Sequence, residues 1–138
     1  MSYDEKRILQ VFETNEIPNV SDETLDIYLE YIKKNLICPC VLTGIESMGY
    51  FSWEERYSFG YGNKKQYGQL RKENGSYKDE YKLQKFNGKV EWDVLVKVVR
   101  ISDKKKFEIP LSELQPVDKK SSNYPLLNDY TVWFVNWH

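Results

Sequence analysis

The side chains of this sequence that could do chemistry are mostly carboxylates, because histidine and cysteine are scarce. The only histidine is His138, at the last position of the sequence, where side chains are seldom held in place. Nucleophilic catalysis needs a base fixed beside a cysteine or serine, and His138 offers no such pair. The sequence therefore predicts that the protein is not an enzyme.

The two cysteines, Cys38 and Cys40, are separated by a single residue, Pro39. Alternate residues of an extended segment point to opposite faces, so this spacing is poor for a disulfide. It also differs from the Cys-x-x-Cys spacing of redox and zinc sites. We expect one buried thiol and one thiol that is less buried.

The carboxylates could instead bind a hard cation such as calcium, which takes oxygen ligands. No continuous EF-hand loop is present, so a calcium site would have to be assembled from separate loops. Each candidate ligand could equally be an ordinary solvated acid. The candidates are the acids near predicted turns or strand ends: Glu46, Glu54, Glu55, Asp118 and Asp129.

Phosphate and nucleic-acid binding are poorly supported by the residues. Gly60-Tyr61-Gly62 and the following lysines, Lys64 and Lys65, lack the glycine and lysine spacing of a phosphate-binding loop. A nucleic-acid interface needs a basic surface with stacking aromatic rings. The sequence pI of about 5.9 argues against nucleic acid as the main partner.

A dense run of aromatic residues favours a different class of function. Aromatic anchors with a charged rim supply much of the affinity of protein interfaces. The alternative to calcium binding is therefore a protein-interaction module of the regulatory or immunity type, with a protein partner. The same rings could also be ordinary core residues. The run comprises Tyr50, Phe51, Trp53, Tyr57, Phe59 and Tyr61.

The whole chain of 138 residues has the size of one domain. Its hydrophobic content of 41% is sufficient for one core, and no apolar run approaches the roughly 20 residues that a membrane helix needs. The N-terminus has no apolar stretch after its charges, so we expect no secretory signal. These features predict a cytoplasmic protein with no membrane contact.

Helical periodicity is confined mostly to the N-terminal part, residues 1–36. One helix is predicted over Asp4–Phe12 and a second over Asp22–Asn35. Ser21 is a favourable N-cap for the second helix, and its apolar residues recur at positions that share one helical face. Those residues are Leu25, Tyr28, Leu29 and Ile32.

The remaining part, residues 37–138, is predicted to be mainly β. Strands are expected over Val41–Ile45 and Trp53–Phe59, and a short helix over Asn63–Lys72. From Asp79 onward, short apolar runs alternate with turn signals, among them Asn87-Gly88 as a hairpin turn. The closing aromatic segment, residues 126–137, could be helix or strand.

These elements predict an α+β domain with two N-terminal helices followed by a small, strongly curved antiparallel sheet or an SH3-like barrel. A parallel nucleotide-binding sheet is not expected, because the chain has no βαβ rhythm.

Three segments resemble the cyanobacterial calcium-binding protein family of the CcbP type. Residues 107–116 (FEIPLSELQP) are similar to a strand of that family followed by its Pro-Leu-Ser-x-Leu motif. Residues 127–134 (LNDYTVWF) resemble its acidic and aromatic C-terminal stretch, with Asp129 and Trp133 in matching order. Residues 37–45 (ICPCVLTGI) resemble its passage from helix to first strand.

The resemblance covers about a third of the chain and consists mostly of structural residues. It implies a small β-barrel-like domain that binds calcium at acidic surface sites. Members of the family are strongly acidic, whereas this chain has a net charge of −1, and the segment from about Trp53 to Tyr81 has no counterpart in the family. The fold is therefore expected to transfer better than calcium binding.

Overall fold

Five antiparallel strands and four helices make up the described part of the computed structural model, which covers residues 4–45, 49–54, 64–90 and 93–138. The helices are α1 (Glu5–Phe12), α2 (Asp22–Asn35), α3 (Lys64–Glu73) and α4 (Asn123–Asn136). The strands are β1 (Val41–Gly44), β2 (Glu80–Val90), β3 (Asp93–Arg100), β4 (Lys106–Pro110) and β5 (Leu114–Pro116). Short 3-10 turns span Gly49–Glu54 and Leu111–Glu113. The predicted α+β class is confirmed.

The strands lie side by side in the order β4, β3, β2, β1, β5. Leu42 of β1 is the partner of Tyr81 in β2 and of Pro116 in β5. Because β4 and β5 are the two edges, the described strands form an open antiparallel sheet. The SH3-like barrel, which the sequence predicted as the alternative to a curved antiparallel sheet, is not confirmed.

Local sequence chemistry explains the start of α1 and α2. The Asp4 carboxylate accepts the Lys6 backbone N–H at 2.9 Å, which caps α1. Ser21 caps α2 by accepting the Thr24 N–H at 3.2 Å, and the Thr24 hydroxyl accepts the Ser21 N–H in return. This reciprocal pair satisfies two backbone donors that a helix start leaves without partners.

The core lies between one face of the sheet and the helices α1, α2 and α4. Period-two alternation points Val94, Val96 and Val98 of β3 into it. The helices contribute a group of packed rings, in which Tyr28 lies 5.0 Å from Trp133 and 5.3 Å from Tyr130 between ring centroids. Trp133 also donates its indole N–H to the Pro18 carbonyl at 2.9 Å, which fixes α4 against the loop before α2.

The closing segment of the chain is a helix, α4, where the sequence left helix and strand open. Leu127, Tyr130 and Trp133 are buried at helical spacing, while Leu126 and Phe134 pack partly against the same core. The helix is therefore apolar on more than one face, which hides the single stripe that reveals an amphipathic helix.

Two of the sequence predictions about strands fail in the described residues. Asn87-Gly88 lies inside β2 and forms no hairpin turn; Gly88 has φ +92° beside a register irregularity between Phe86 and Lys89. Trp53 lies in the 3-10 turn Gly49–Glu54 and not in a strand. Residues 55–59 of the strand predicted over Trp53–Phe59 lie outside the described residues. A glycine with positive φ suits a bulge as well as a turn, so the dipeptide signal was ambiguous.

Gly44 allows two segments to approach β1 closely. A Cβ atom at this position would lie 2.5 Å from the Cα of Tyr77 and 2.8 Å from the Phe51 ring. A larger residue would therefore push the Gly49–Glu54 turn away from the sheet.

None of the helices in the described residues is long and apolar enough to cross a bilayer.

Candidate functional site

The predicted calcium ligands divide into two described residues and three that cannot be placed. Asp118 is exposed, and its carboxylate accepts the Lys120 backbone N–H at 2.9 Å. Asp129, in α4, is buried. Glu46 and Glu55 lie outside the described residues, as does the side chain of Glu54. Among the described residues, no three histidine, cysteine or acidic side chains are grouped as metal ligands.

Asp129 forms a two-pronged ion pair with Arg7 of α1. The Arg7 Nε atom donates to Oδ2 at 2.6 Å, and Nη2 donates to Oδ1 at 3.1 Å. Hydrogen bonding to the Asp129 carboxylate is the main cause that raises the pKa of Arg7. Both oxygens of Asp129 are thus engaged, and its charge is balanced within the protein. The pair also ties α1 to α4.

A second acidic group, Asp93 and Glu113, was not among the sequence candidates. Asp93 begins β3 and is buried. It accepts hydrogen bonds from the Ser112 hydroxyl at 2.5 Å, from the Tyr130 hydroxyl at 2.6 Å and from its neighbour's backbone N–H, that of Val94, at 2.7 Å. Burial raises the pKa of Asp93, and these hydrogen bonds oppose the rise.

Glu113 lies at the end of the second 3-10 turn and is half-buried. Its Oε1 atom accepts the Tyr50 backbone N–H at 2.5 Å. Burial is the main cause that raises the pKa of Glu113, and the negative charge of Asp93 raises it further. Neither Asp93 nor Glu113 forms a salt bridge with a described residue. The protein therefore holds two desolvated acids, neither of which is paired with a described cation.

Sequence reasoning missed both acids for different reasons. Glu113 falls inside the Pro-Leu-Ser-Glu-Leu run, which was interpreted as structural. Asp93 was passed over because it starts a strand rich in β-branched residues. Its parity also predicts exposure, because strands place alternate residues on one face and the core residues Val94, Val96 and Val98 have the opposite parity. The burial of both Asp93 and Val94 shows that this strand start does not alternate strictly.

A cleft of about 350 Å³ lies between α1, α2 and α4, next to the Arg7–Asp129 ion pair. Val11, Tyr31 and Leu126 are among its lining residues. The cleft has both apolar walls and charged groups. Its volume falls in the lower part of the range that small-molecule sites occupy.

The described part of the aromatic run packs largely into the protein. Phe51 is buried, while Tyr50 and Trp53 are half-buried. The Trp53 indole N–H donates to the Gly75 carbonyl at 2.9 Å. Tyr57, Phe59 and Tyr61 lie outside the described residues, so an aromatic interaction surface stays a prediction.

The two thiols differ in accessibility. Cys38 is exposed and Cys40 is buried, and burial raises the pKa of Cys40 to about 11. Because the thiolate is the reactive form, a disulfide-exchange reagent should modify one thiol quickly and the second slowly at neutral pH. In Cys38→Ser only the slow phase should persist, and in denaturant both thiols should react fast. Equal rates in the native protein would contradict this assignment.

Comparisons of the chain with protein-family models, with curated proteins and with solved structures find no match. The resemblance to the CcbP-type family therefore stays a prediction from the sequence. Any function has to be argued from the residues and their geometry.

Proposed function

We propose that this protein binds calcium, without catalysis, through a carboxylate site built around Glu113. The observation that carries the proposal is that Glu113 is half-buried, is repelled by Asp93 and has no described cationic partner. A carboxylate in this state gains more from a bound cation than an exposed acid does, because desolvation strengthens the electrostatic interaction.

One predicted ligand, Glu46, is adjacent in the sequence to a residue that contacts Glu113. The Ile45 backbone N–H donates to the Glu113 carbonyl at 3.0 Å, and the Tyr50 N–H donates to its carboxylate. Glu46 directly follows Ile45, and consecutive Cα atoms are about 3.8 Å apart. This adjacency in the sequence supports including Glu46 among the proposed ligands.

The remaining predicted ligands stand in different relations to this site. Glu54 is the last residue of the 3-10 turn in which the Tyr50 N–H contacts Glu113, and Glu55 comes next in the sequence, which supports including them. Asp118 and Asp129 are not part of the proposed centre, because one lies in an exposed loop and the other is paired with Arg7. They stay predictions from the sequence.

Calorimetric titration of the protein with calcium chloride at physiological salt tests the proposal. We expect saturable heat, and an affinity reduced by about tenfold or more in Glu113→Gln and in Glu46→Gln, because each removes a charged oxygen ligand. Glu108→Gln, an exposed acid on β4, is the matched control and should bind as the parent does.

The pH dependence provides a second readout. The pKa of Glu113 is raised, so protons should compete with calcium at higher pH than they would at an ordinary glutamate. Calcium affinity should therefore fall as the pH is lowered toward that pKa, and less so in Glu113→Gln. Absence of both heat and thermal shift at millimolar calcium would refute the proposal.

A further inference from the structure

The cleft between α1, α2 and α4 is lined by a tyrosine, Tyr28, whose hydroxyl has no partner among the described residues. The Tyr28 side chain is only 1% exposed, yet its hydroxyl forms no hydrogen bond with any described residue. No fully buried polar side-chain atom in the described residues lacks a partner. The Tyr28 hydroxyl must therefore reach open space, and the cleft that Tyr28 lines supplies it.

The ring of Tyr28 is fixed, so its hydroxyl has little freedom to find another partner. Phe12 and Tyr130 meet the ring edge-on at 5.5 Å and 5.3 Å, and Trp133 packs against it at 5.0 Å between centroids. The hydroxyl is thus held at the floor of the cleft. A group that enters from solvent would meet a preorganised hydrogen-bond donor there.

The chemistry of the cleft selects among possible ligands. Burial, and next the charge of Asp129, raise the pKa of Tyr28, so the phenol stays neutral and offers its proton to an acceptor. At the rim, Arg7 is shared by Asp129 and Asp4, which leaves no net positive charge to attract an anion. Val11 and Leu126 add apolar wall.

The volume of the cleft limits the size of the ligand that it can hold. An apolar cavity of about 150 Å³ holds one benzene molecule, and this cleft has about 350 Å³. There is therefore room for a single substituted ring. The hydroxyl lies too deep for the flat surface of a macromolecule to reach, since only 1% of Tyr28 is exposed.

We propose that this cleft binds a small, neutral, ring-sized apolar molecule whose carbonyl or ether oxygen accepts a hydrogen bond from the Tyr28 hydroxyl. The site is separate from the proposed calcium centre and does not depend on it. It gives the protein a second ligand class, which the sequence did not indicate.

A pair of probes of matched shape tests the proposal on the full chain. Acetophenone has a carbonyl acceptor, whereas ethylbenzene has a similar ring and side chain without one. Titration of each into isotope-labelled protein, followed by ¹H–¹⁵N NMR, gives affinities and locates the bound probe. We expect shifts centred on Val11, Tyr28 and Leu126, with acetophenone bound about fivefold more tightly, as one neutral hydrogen bond provides.

Variants assign that preference to the hydroxyl. Tyr28→Phe should fold as the parent does, since no hydrogen bond to a described residue is lost, and it should bind both probes equally. Tyr31→Phe, which also removes a hydroxyl from the cleft lining, is the matched control and should keep the fivefold preference. Leu126→Trp should fill the cleft and weaken both probes.

Three outcomes would overturn the proposal. These are the absence of shifts in the cleft resonances with either probe at millimolar concentration, shifts that centre on another part of the protein, and a preference for acetophenone that persists in Tyr28→Phe. Because the calcium titration uses different residues, its failure would leave the result of this experiment unchanged.

Discussion

Replacing Arg100 with alanine is expected to destabilise the fold by about 3–5 kcal/mol, as does breaking a buried ion pair by removing one partner. The Arg100 side chain is only 4% exposed. Its Nη1 atom donates to Asp79 Oδ2 at 3.0 Å, while Nε and Nη2 donate to the two oxygens of Asp103 at 3.0 and 2.7 Å. Asp79 is 12% exposed, and it would keep Arg71, whose Nη2 atom donates to Oδ1 at 3.2 Å, as its cationic partner among the described residues.

Arg100 also holds the C-terminal end of α3. Its guanidinium donates to the carbonyls of Arg71, Lys72 and Asn74 at 2.9, 2.9 and 3.1 Å. Carbonyls at a helix end have no partner within the helix. Loss of Arg100 should therefore loosen α3 as well as lower global stability, and amide exchange in α3 should rise more than in α2.

Urea unfolding followed by circular dichroism measures the global effect, and Arg100→Lys and Lys97→Ala supply the comparison. Lysine keeps the charge but lacks the planar fork that serves two carboxylates at once, so we expect a substantial loss. Lys97→Ala, on the same strand, should change stability by about 0.5 kcal/mol or less. An Arg100→Ala loss as small as that of Lys97→Ala would contradict the buried-network role.

Titration of Asp103 supplies an independent check of the same contact. The hydrogen bond from Arg100 is the main cause that lowers the pKa of Asp103 to about 2. A lowered folded pKa stabilises the protein above the ordinary value near 3.8, and this contribution is lost as the pH falls toward 2. Asp103 is 45% exposed, so screening keeps that contribution small. In Arg100→Ala its pKa should return toward 3.8.

Local sequence rules predicted the elements whose signals are local. The second helix was predicted from Ser21 and a regular apolar stripe, and α2 spans the predicted Asp22–Asn35. A helix was predicted over Asn63–Lys72, and α3 spans Lys64–Glu73. Capping and periodicity depend on residues within about one or two turns, which is why sequence alone suffices for them.

Long-range placement could not be predicted in the same way. The partner of Arg7 is Asp129, which lies 122 positions away in the chain, and no local pattern couples them. Arg100 did carry a usable signal, because it shares the parity of the buried Val96 and Val98 in β3. A charged residue at a core-facing position of a strand predicts that the fold supplies an ionic partner. The sequence does not identify that partner.

The candidate sites were less predictable than the fold, since they depend on which side chains lack partners. The sequence showed that Tyr28 belongs to the apolar face of α2. Only the packing of α1 and α4 reveals that Tyr28 lines a cleft. In the same way, the acidity of Glu113 is visible in the sequence, while its burial and its repulsion from Asp93 are properties of the fold.

Replacing Asp93 with alanine is the second change with a large expected effect, about 3 kcal/mol of lost stability. The substitution would leave the Tyr130 and Ser112 hydroxyls without their acceptor, and the Val94 N–H would keep only its longer hydrogen bond to the Tyr130 oxygen, at 3.3 Å. Each buried donor left without a partner costs about 1–3 kcal/mol, and relaxation or entry of water should recover part of the sum. Asp93 is 5% exposed, so little solvent is at hand.

Asp93→Asn separates the hydrogen bonds from the charge. Its amide oxygen can still accept from Tyr130 and Val94, and its amide nitrogen can donate to the Ser112 oxygen after the hydroxyl turns. We therefore expect a loss of less than about 1 kcal/mol at pH 7, since a satisfied neutral group avoids the desolvation cost of the ion. Tyr130→Phe, which removes one donor and leaves the carboxylate, should be intermediate.

The pH dependence of these variants has a definite sign. Burial raises the pKa of Asp93 in the fold, so the folded state binds a proton more readily than the unfolded state does. The parent should therefore gain stability relative to Asp93→Asn as the pH falls from 7 through the raised pKa toward 3.8, with no further gain below. Urea unfolding of both proteins between pH 7 and pH 4 measures this difference. A constant difference over that range would contradict the raised pKa.

The same substitution also tests the coupling between the two acids. The charge of Asp93 raises the pKa of Glu113, so the pKa of Glu113 should fall in Asp93→Asn, as a ¹³C NMR titration of its carboxyl group would show. Removal of a negative charge beside the proposed calcium centre should also weaken calcium binding, although less than Glu113→Gln does, because Asp93 acts through the field and not as a ligand. Unchanged values for both would mean that the two carboxylates are independent, and the desolvated acidic pair would then no longer support a cation at Glu113.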